Sequence, residues 1–119
     1  MNWDKIKHFT EAELACRCCG QCTMNEQFLI ALDMARRDAG LPFHVTSGYR
    51  CEKHNMAVGG ATNSAHTKGL AVDIACQSST ERMKILKALL RYFDRVGIAK
   101  TFIHVDADYT KESGVLWLY

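Results

Sequence analysis

Two histidines and an aspartate in apolar surroundings carry the chemistry this sequence offers. His66 and Asp73 stand on either side of Gly69 in Ser64-Ala65-His66-Thr67-Lys68-Gly69-Leu70-Ala71-Val72-Asp73, and His104 sits within Phe102-Ile103-His104-Val105-Asp106. The glycine can form a turn, and the β-branched run around His104 reads as a buried strand. Taken singly, a strand histidine is more often a hydrogen-bonded core residue, and an aspartate near a strand is more often a turn former. Taken together, all three fall where an unpaired polar group is costly, which favours a shared metal site. Two imidazoles and one carboxylate suit zinc with a fourth position left to water, an ion that acidifies that water and polarises a carbonyl.

The elements that must position these groups are short. Strands are expected at residues 43–47, 70–76, 102–107 and 115–119. Alternation in the second puts Leu70, Val72 and Ile74 on one face and Asp73 on the other. In the third, Phe102, His104 and Asp106 share a face opposite Ile103 and Val105. Helix starts are read from capping boxes at Thr10/Glu13, Thr23/Glu26 and Ser78/Glu81. The second helix carries Phe28, Leu29, Leu32 and Ala35 along one face and should stop at Gly40. The third carries Met83, Leu86, Leu89, Leu90 and Phe93 and should stop near Gly97. These stripes are core faces. The expected architecture is α+β, with a small antiparallel sheet bearing the metal site on one face and helices packed on the other.

With 119 residues, the chain matches one domain spanning 1–119 that can bury its own core. A net charge of +2 without a basic run speaks against nucleic acid as a partner. The N-terminal Met1-Asn2-Trp3-Asp4-Lys5-Ile6-Lys7 has no apolar signal segment, and no later stretch is long enough to span a bilayer. The expectation is a chain made in the cytoplasm, without stable membrane insertion and monomeric. Six cysteines, four of them crowded into Cys16-Arg17-Cys18-Cys19-Gly20-Gln21-Cys22, are read mainly as reduced small hydrophobes. Cys19 and Cys22 form a Cys-x-x-Cys pair, but Cys51 and Cys76 are not spaced as the second pair of a structural zinc site.

The run Ser64-x-His66-x-x-Gly69-x-Ala71-x-Asp73 resembles the motif of the M15-type zinc D-Ala-D-Ala carboxypeptidases and related murein endopeptidases, whose metal core resembles that of hedgehog signalling domains. Thr46-Ser47-Gly48-Tyr49-Arg50, then Asn55 and Gly59-Gly60, are similar to the same family's approach to the first ligand. The start, with Phe9-Thr10-Glu11-Ala12-Glu13-Leu14 and its cysteine cluster, is similar to short stand-alone members, many of them phage-encoded.

The resemblance implies that His66, Asp73 and His104 bind zinc and that Arg50 faces the substrate. A permanently charged, forked guanidinium suits a substrate carboxylate or the oxyanion of a tetrahedral intermediate. Ser64 is expected either to bind substrate or to shape the turn. Many members place an acid three residues before the second histidine; here that residue is Thr101, which cannot take up a proton at neutral pH. Asp106 is the expected general base, with a ligand-orienting role as its alternative, and with Asp108 and then His54 behind it. The implied function is zinc-dependent cleavage of a peptide bond in the stem or cross-bridge of peptidoglycan. It would act at the cell wall, as a phage endolysin does after release at lysis. The alternatives are a catalytically inactive, zinc-stabilised binding module and, with less support, a small metal-binding interaction domain built on the cysteine cluster.

Overall fold

The computed structural model describes residues 1–119. After a 3-10 turn at Trp3–Lys5 comes α1 (Glu11–Leu14). It opens on the expected reciprocal cap: Thr10 Oγ1 accepts the Glu13 N–H at 3.3 Å, and the Glu13 carboxylate accepts the Thr10 N–H at 3.0 Å. The next helix, α2 (Glu26–Ala39), departs from the expected Thr23/Glu26 box. Asn25 is the cap, its Oδ1 accepting the Phe28 N–H at 2.9 Å, while Glu26 turns away to accept the Asn2 N–H at 2.8 Å. Asparagine caps at least as well as threonine, so the acceptor nearer the first helical turn takes the role. The helix ends at Gly40 as expected, in the left-handed conformation that glycine adopts without penalty.

The chain continues through β1 (Val45–Ser47), α3 (Glu52–Ala57), a 3-10 turn (Ala65–Lys68) and β2 (Ala71–Ala75). It then forms α4 (Ser79–Leu89), β3 (Arg95–Ile98), β4 (Phe102–Asp106) and β5 (Val115–Leu118). Three of these elements differ from the sequence expectation. The six residues of α3 are too few to show helical periodicity. The helix begun at Ser78 stops at Leu89, not near Gly97, and Gly97 instead lies inside a strand. Its buried face is Ile85, Ala88 and Leu89, joined by Phe93 beyond its end, whereas Met83 and Leu90 are exposed.

The strands form one sheet in the order β1-β2-β4-β3-β5. The first three pairings are antiparallel, but β3 and β5 run parallel, so the sheet is mixed where a wholly antiparallel one was expected. Topology explains the parallel edge. β4 ends at the side where β3 begins, and the short connection after Asp106 re-enters the sheet beside Arg95, so β5 must run the way β3 does.

Val72 and Ile74 of β2, Val96 of β3, and Ile103 and Val105 of β4 turn one sheet face toward α2 and α4. There they join Phe28, Leu29, Leu32, Ile85 and Leu89 in one continuous core. The Phe28 and Phe93 rings close it at 5.4 Å between centroids. The period-two alternation read from β2 and β4 therefore assigns the faces correctly. No helix is long and apolar enough to cross a membrane.

Gly69 links the His66 turn to β2. Its φ is +71°, and a β-carbon there would strike the Thr23 carbonyl oxygen and come within 2.9 Å of Met24 Cα. Gly69→Ala is expected to destabilise the protein by about 2 kcal/mol or more. Urea unfolding would show it as a lowered midpoint, and an unchanged midpoint would contradict the close approach.

Candidate metal centre

β2 and β4 pair in the register that sets Asp73 opposite His104. The row extends across the whole sheet, with Ser47 of β1 beside Asp73, Gly97 of β3 beside His104, and Trp117 of β5 beside Gly97. Side chains in one such row stand on one face, here the face opposite the core. His66 arrives from the 3-10 turn that precedes β2, and its ring centroid lies 5.3 Å from that of His104.

The structure thus brings His66, Asp73 and His104 together, with one donor atom from each lying within 4.8 Å of the others. Asp73 Oδ1 is 3.4 Å from His66 Nε2 and 2.9 Å from His104 Nδ1. Ligand atoms about 2.0–2.2 Å from a tetrahedral zinc ion stand roughly 3.4 Å from one another, so the spacing fits the group.

Proton accounting supports the same fit. His66 Nδ1 lies 2.9 Å from the Gly48 carbonyl, which can only accept, so this nitrogen carries the proton and Nε2 of the neutral ring is a lone pair aimed at a carboxylate oxygen. His104 lies between two carboxylates, with Nδ1 on Asp73 and Nε2 2.7 Å from Asp106 Oδ2, and a neutral ring can donate to only one. One of the two contacts therefore requires a second proton on the ring, or a cation in its place. Burial by itself would lower the His104 pKa, but hydrogen bonds to Asp106 and Asp73 raise it above the ordinary histidine value. Burial would raise that of Asp73, but the His104 and His66 imidazoles beside it hold it well below the usual carboxylate range.

Around these groups is a cleft of about 430 Å³ that includes Arg50, Ser64, Arg95, Asp106, Trp117 and Tyr119 in its lining. A larger hollow of about 560 Å³, over Phe28 and Tyr92, holds no comparable cluster of convergent ligands. Arg50 is held as a fork: Nε donates to Ser47 Oγ at 3.0 Å, Nη1 donates to Asn55 Oδ1 at 2.9 Å, and Nη2 stands 3.8 Å from Asp73 Oδ2. Asn55 is buried and also donates to the Ala61 carbonyl, and a β-carbon on Gly60 would strike both Asn55 Oδ1 and the guanidinium. Ser64 Oγ accepts the His66 N–H at 3.2 Å and caps the turn.

Asp106 is 2% exposed and has both oxygens engaged. Oδ2 faces His104, while Oδ1 accepts from Arg95 Nε at 2.7 Å and from the Asp108 N–H at 3.1 Å. Burial would raise its pKa, but the hydrogen bonds from His104 and Arg95 lower it. Asp108 is sealed behind it, held by Lys68 at 2.9 Å and Lys111 at 3.2 Å, and is absent from the cleft lining. His54 also lies outside the cleft, on α3.

Sequence reasoning assigned no part in the site to Arg95 or Trp117 and read Gly97 only as the stop of a helix. Arg95 neutralises Asp106 and also lies 5.1 Å from the Trp117 ring centroid; that ring is in turn 5.6 Å from His104. Gly97 leaves the space that the indole fills, since a β-carbon would strike Trp117 Nε1. The signal was the pair Arg95-x-Gly97, which becomes legible only once β3 is recognised as a strand.

The Peptidase M15 family model matches residues 7–106, and the chain belongs to that family. No curated protein matches it.

The sealed carboxylate gives a pH prediction. Burial opposes ionisation of Asp108, but Lys68, Thr110 and Lys111 outweigh it and hold its pKa far below the ordinary value. A depressed folded-state pKa adds stability that is present above the unfolded pKa of about 3.9 and is lost as pH falls through the folded one. The stability gap between wild type and Asp108→Asn, measured by urea unfolding, should therefore be constant near neutrality and shrink from about pH 4 downward. A gap independent of pH would refute the assignment.

Proposed function

We propose that this member of the Peptidase M15 family is a zinc-dependent hydrolase of a peptide bond in the stem or cross-bridge of bacterial peptidoglycan, with His66, Asp73 and His104 as the metal ligands. The observation that carries the reading is the convergence of two imidazole nitrogens and one carboxylate oxygen, short of protons, on the wall of an open cleft beside a fixed arginine. Zinc bound by such a set supplies activated water and a polarised scissile carbonyl.

The chain's own groups would divide the remaining work. The Gly48 carbonyl and Asp106 each hold the far nitrogen of a ligand histidine, which fixes ring orientation and tautomer. Arg50 has its Nε committed to Ser47, leaving N–H groups on its outer edge for a substrate carboxylate or a developing oxyanion. Ser64 accepts a backbone N–H and retains its own hydroxyl proton to donate into the cleft that it helps to line. The engaged oxygens of Asp106 favour the orienting role over that of general base, which sequence reasoning had placed first. Residues 1–119 would act as one peptidase domain, monomeric, at the cell wall, in lysis of the phage-endolysin kind.

A second reading, a zinc-stabilised wall-binding module without turnover, is favoured by one observation. Both carboxylates that line the cleft, Asp73 and Asp106, are already paired.

Release of new amino groups from purified peptidoglycan by the zinc-loaded protein separates the two. The peptidase reading expects activity that falls to background on chelation and in His66→Ala, and about a 10²-fold loss of kcat in Arg50→Ala. Zinc binding without any release would move the binding module to first place. Asp106→Asn tests the division of labour: an orienting role predicts zinc affinity lowered about 10–100-fold, with activity recovered in excess zinc. Unchanged affinity with abolished turnover would instead restore Asp106 as the base.

A further inference from the structure

Three of the six cysteines converge outside the cleft, with a fourth beside them. Cys16 Sγ lies 3.6 Å from Cys51 Sγ across a separation of 35 residues. Cys19 joins them, with all three sulfurs within 4.8 Å of one another, and Cys18 lies against Cys51. Thiolates about 2.3 Å from a tetrahedral zinc ion stand roughly 3.8 Å apart, whereas a disulfide needs about 2.05 Å. The two thiols are unbridged, and their hydrogen-bonded separation of 3.6 Å fits the first arrangement.

The backbone is shaped around these sulfurs. Cys16-Arg17-Cys18-Cys19-Gly20 forms a tight turn in which the Gly20 N–H donates to the Cys16 carbonyl at 2.8 Å and Gly20 has φ +76°. The Cys51 N–H donates to Cys16 Sγ at 3.4 Å, and the N–H groups of Cys18 and Cys19 also point at that sulfur. Cys51 Sγ accepts the His54 N–H at 3.4 Å. Hydrogen bonds from backbone N–H groups favour the thiolate form, and such bonds are what support a metal-bound sulfur. Cys22 and Cys76 take no part: Cys22 packs against the core, and the Cys76 thiol is buried and donates to the Ser78 carbonyl. The Cys19/Cys22 pairing weighed from sequence is therefore not the one the fold makes. The partner is Cys51, which no spacing rule connects to the cluster.

We propose that Cys16, Cys19 and Cys51, with Cys18 as the fourth ligand, bind a second zinc ion that is structural, not catalytic. A four-thiolate set leaves no position open for water or substrate. Its place in the fold indicates what it holds. Cys51 directly follows Arg50, and the same N-terminal segment reaches the cleft wall through the Tyr49 N–H to the Leu14 carbonyl at 2.9 Å. Gly48, whose carbonyl fixes His66, packs so closely on Leu14 that a β-carbon would come within 2.6 Å of its oxygen. The metal would tie the N-terminal turn to the strand end that carries both the His66 orienter and the substrate-facing arginine.

The test uses full-length protein with His66→Ala and His104→Ala combined, so that only the cysteine site remains. Metal analysis should find one zinc per chain in this variant and two in the wild type. Cobalt in place of zinc should give the intense sulfur-to-cobalt charge-transfer absorption that nitrogen and oxygen ligands cannot produce. Adding Cys51→Ser should abolish both signals, and adding Cys22→Ser should leave them. No metal in the His66/His104 variant, or a Cys16–Cys51 disulfide found by mass analysis of the non-reduced protein, would overturn the proposal. One zinc in the wild type retained in that variant would uphold this site and sink the catalytic one.

Discussion

The pairing of Asp73 with His104 across β2 and β4 is the constraint on which the rest of the structure depends. Strand side chains alternate, so the register that places these two on the cleft face also places Val72, Ile74, Ile103 and Val105 in the core. A slip of one residue would send the polar pair inward and the apolar set outward together. The core thus enforces the register and the register builds the site, without any contact between the two faces. His66 is outside this lattice. It is brought in by the turn through Gly69 and anchored by the carbonyl of Gly48.

Charge balance is the second organising principle. Asp73 and Asp106 stand on either side of the His104 ring, and each is matched by an arginine, Arg50 at 3.8 Å and Arg95 at 2.7 Å. Buried carboxylates persist only when paired and hydrogen-bonded, and here every buried side-chain polar atom has a partner. The small space between Asp73 and the two imidazoles is where one carboxylate oxygen faces two ring nitrogens. The two sides of each ring thus meet different partners: the far nitrogens are held by the Gly48 carbonyl and Asp106, and the near nitrogens face Asp73.

Much of this was legible in the sequence because it is local or strictly periodic. The alternation of Asp73 and His104 against their apolar neighbours requires only period two, and the reciprocal cap at Thr10 requires only a spacing of three. What was illegible depended on tertiary context. β3 was absorbed into the preceding helix because Leu89, Leu90 and Phe93 prolong its apolar stripe, so Arg95 and Gly97 had no face to be assigned to. The Asn25 cap displaced Thr23 because the Glu26 carboxylate found a partner at Asn2, remote in sequence. The engagement of both Asp106 oxygens could not be read without Arg95, and the place of Cys51 could not be read without the fold that carries it to Cys16.

Trp117 stands at the far end of the cross-sheet row that holds Asp73 and His104, and gives the cleft a wall outside the apolar core. The indole comes from the parallel edge strand, over a glycine that contributes nothing but room. An edge strand has hydrogen-bonded neighbours on one side only, and the one holding Trp117 is half-exposed. Substitutions there act on the breadth and polarity of the cleft mouth and reach the buried groups through the contacts of Trp117 with His104 and Arg95. The cleft therefore has a frame built from the central strands and one wall built from the sheet edge, so a change confined to β5 acts on the opening before it acts on the core.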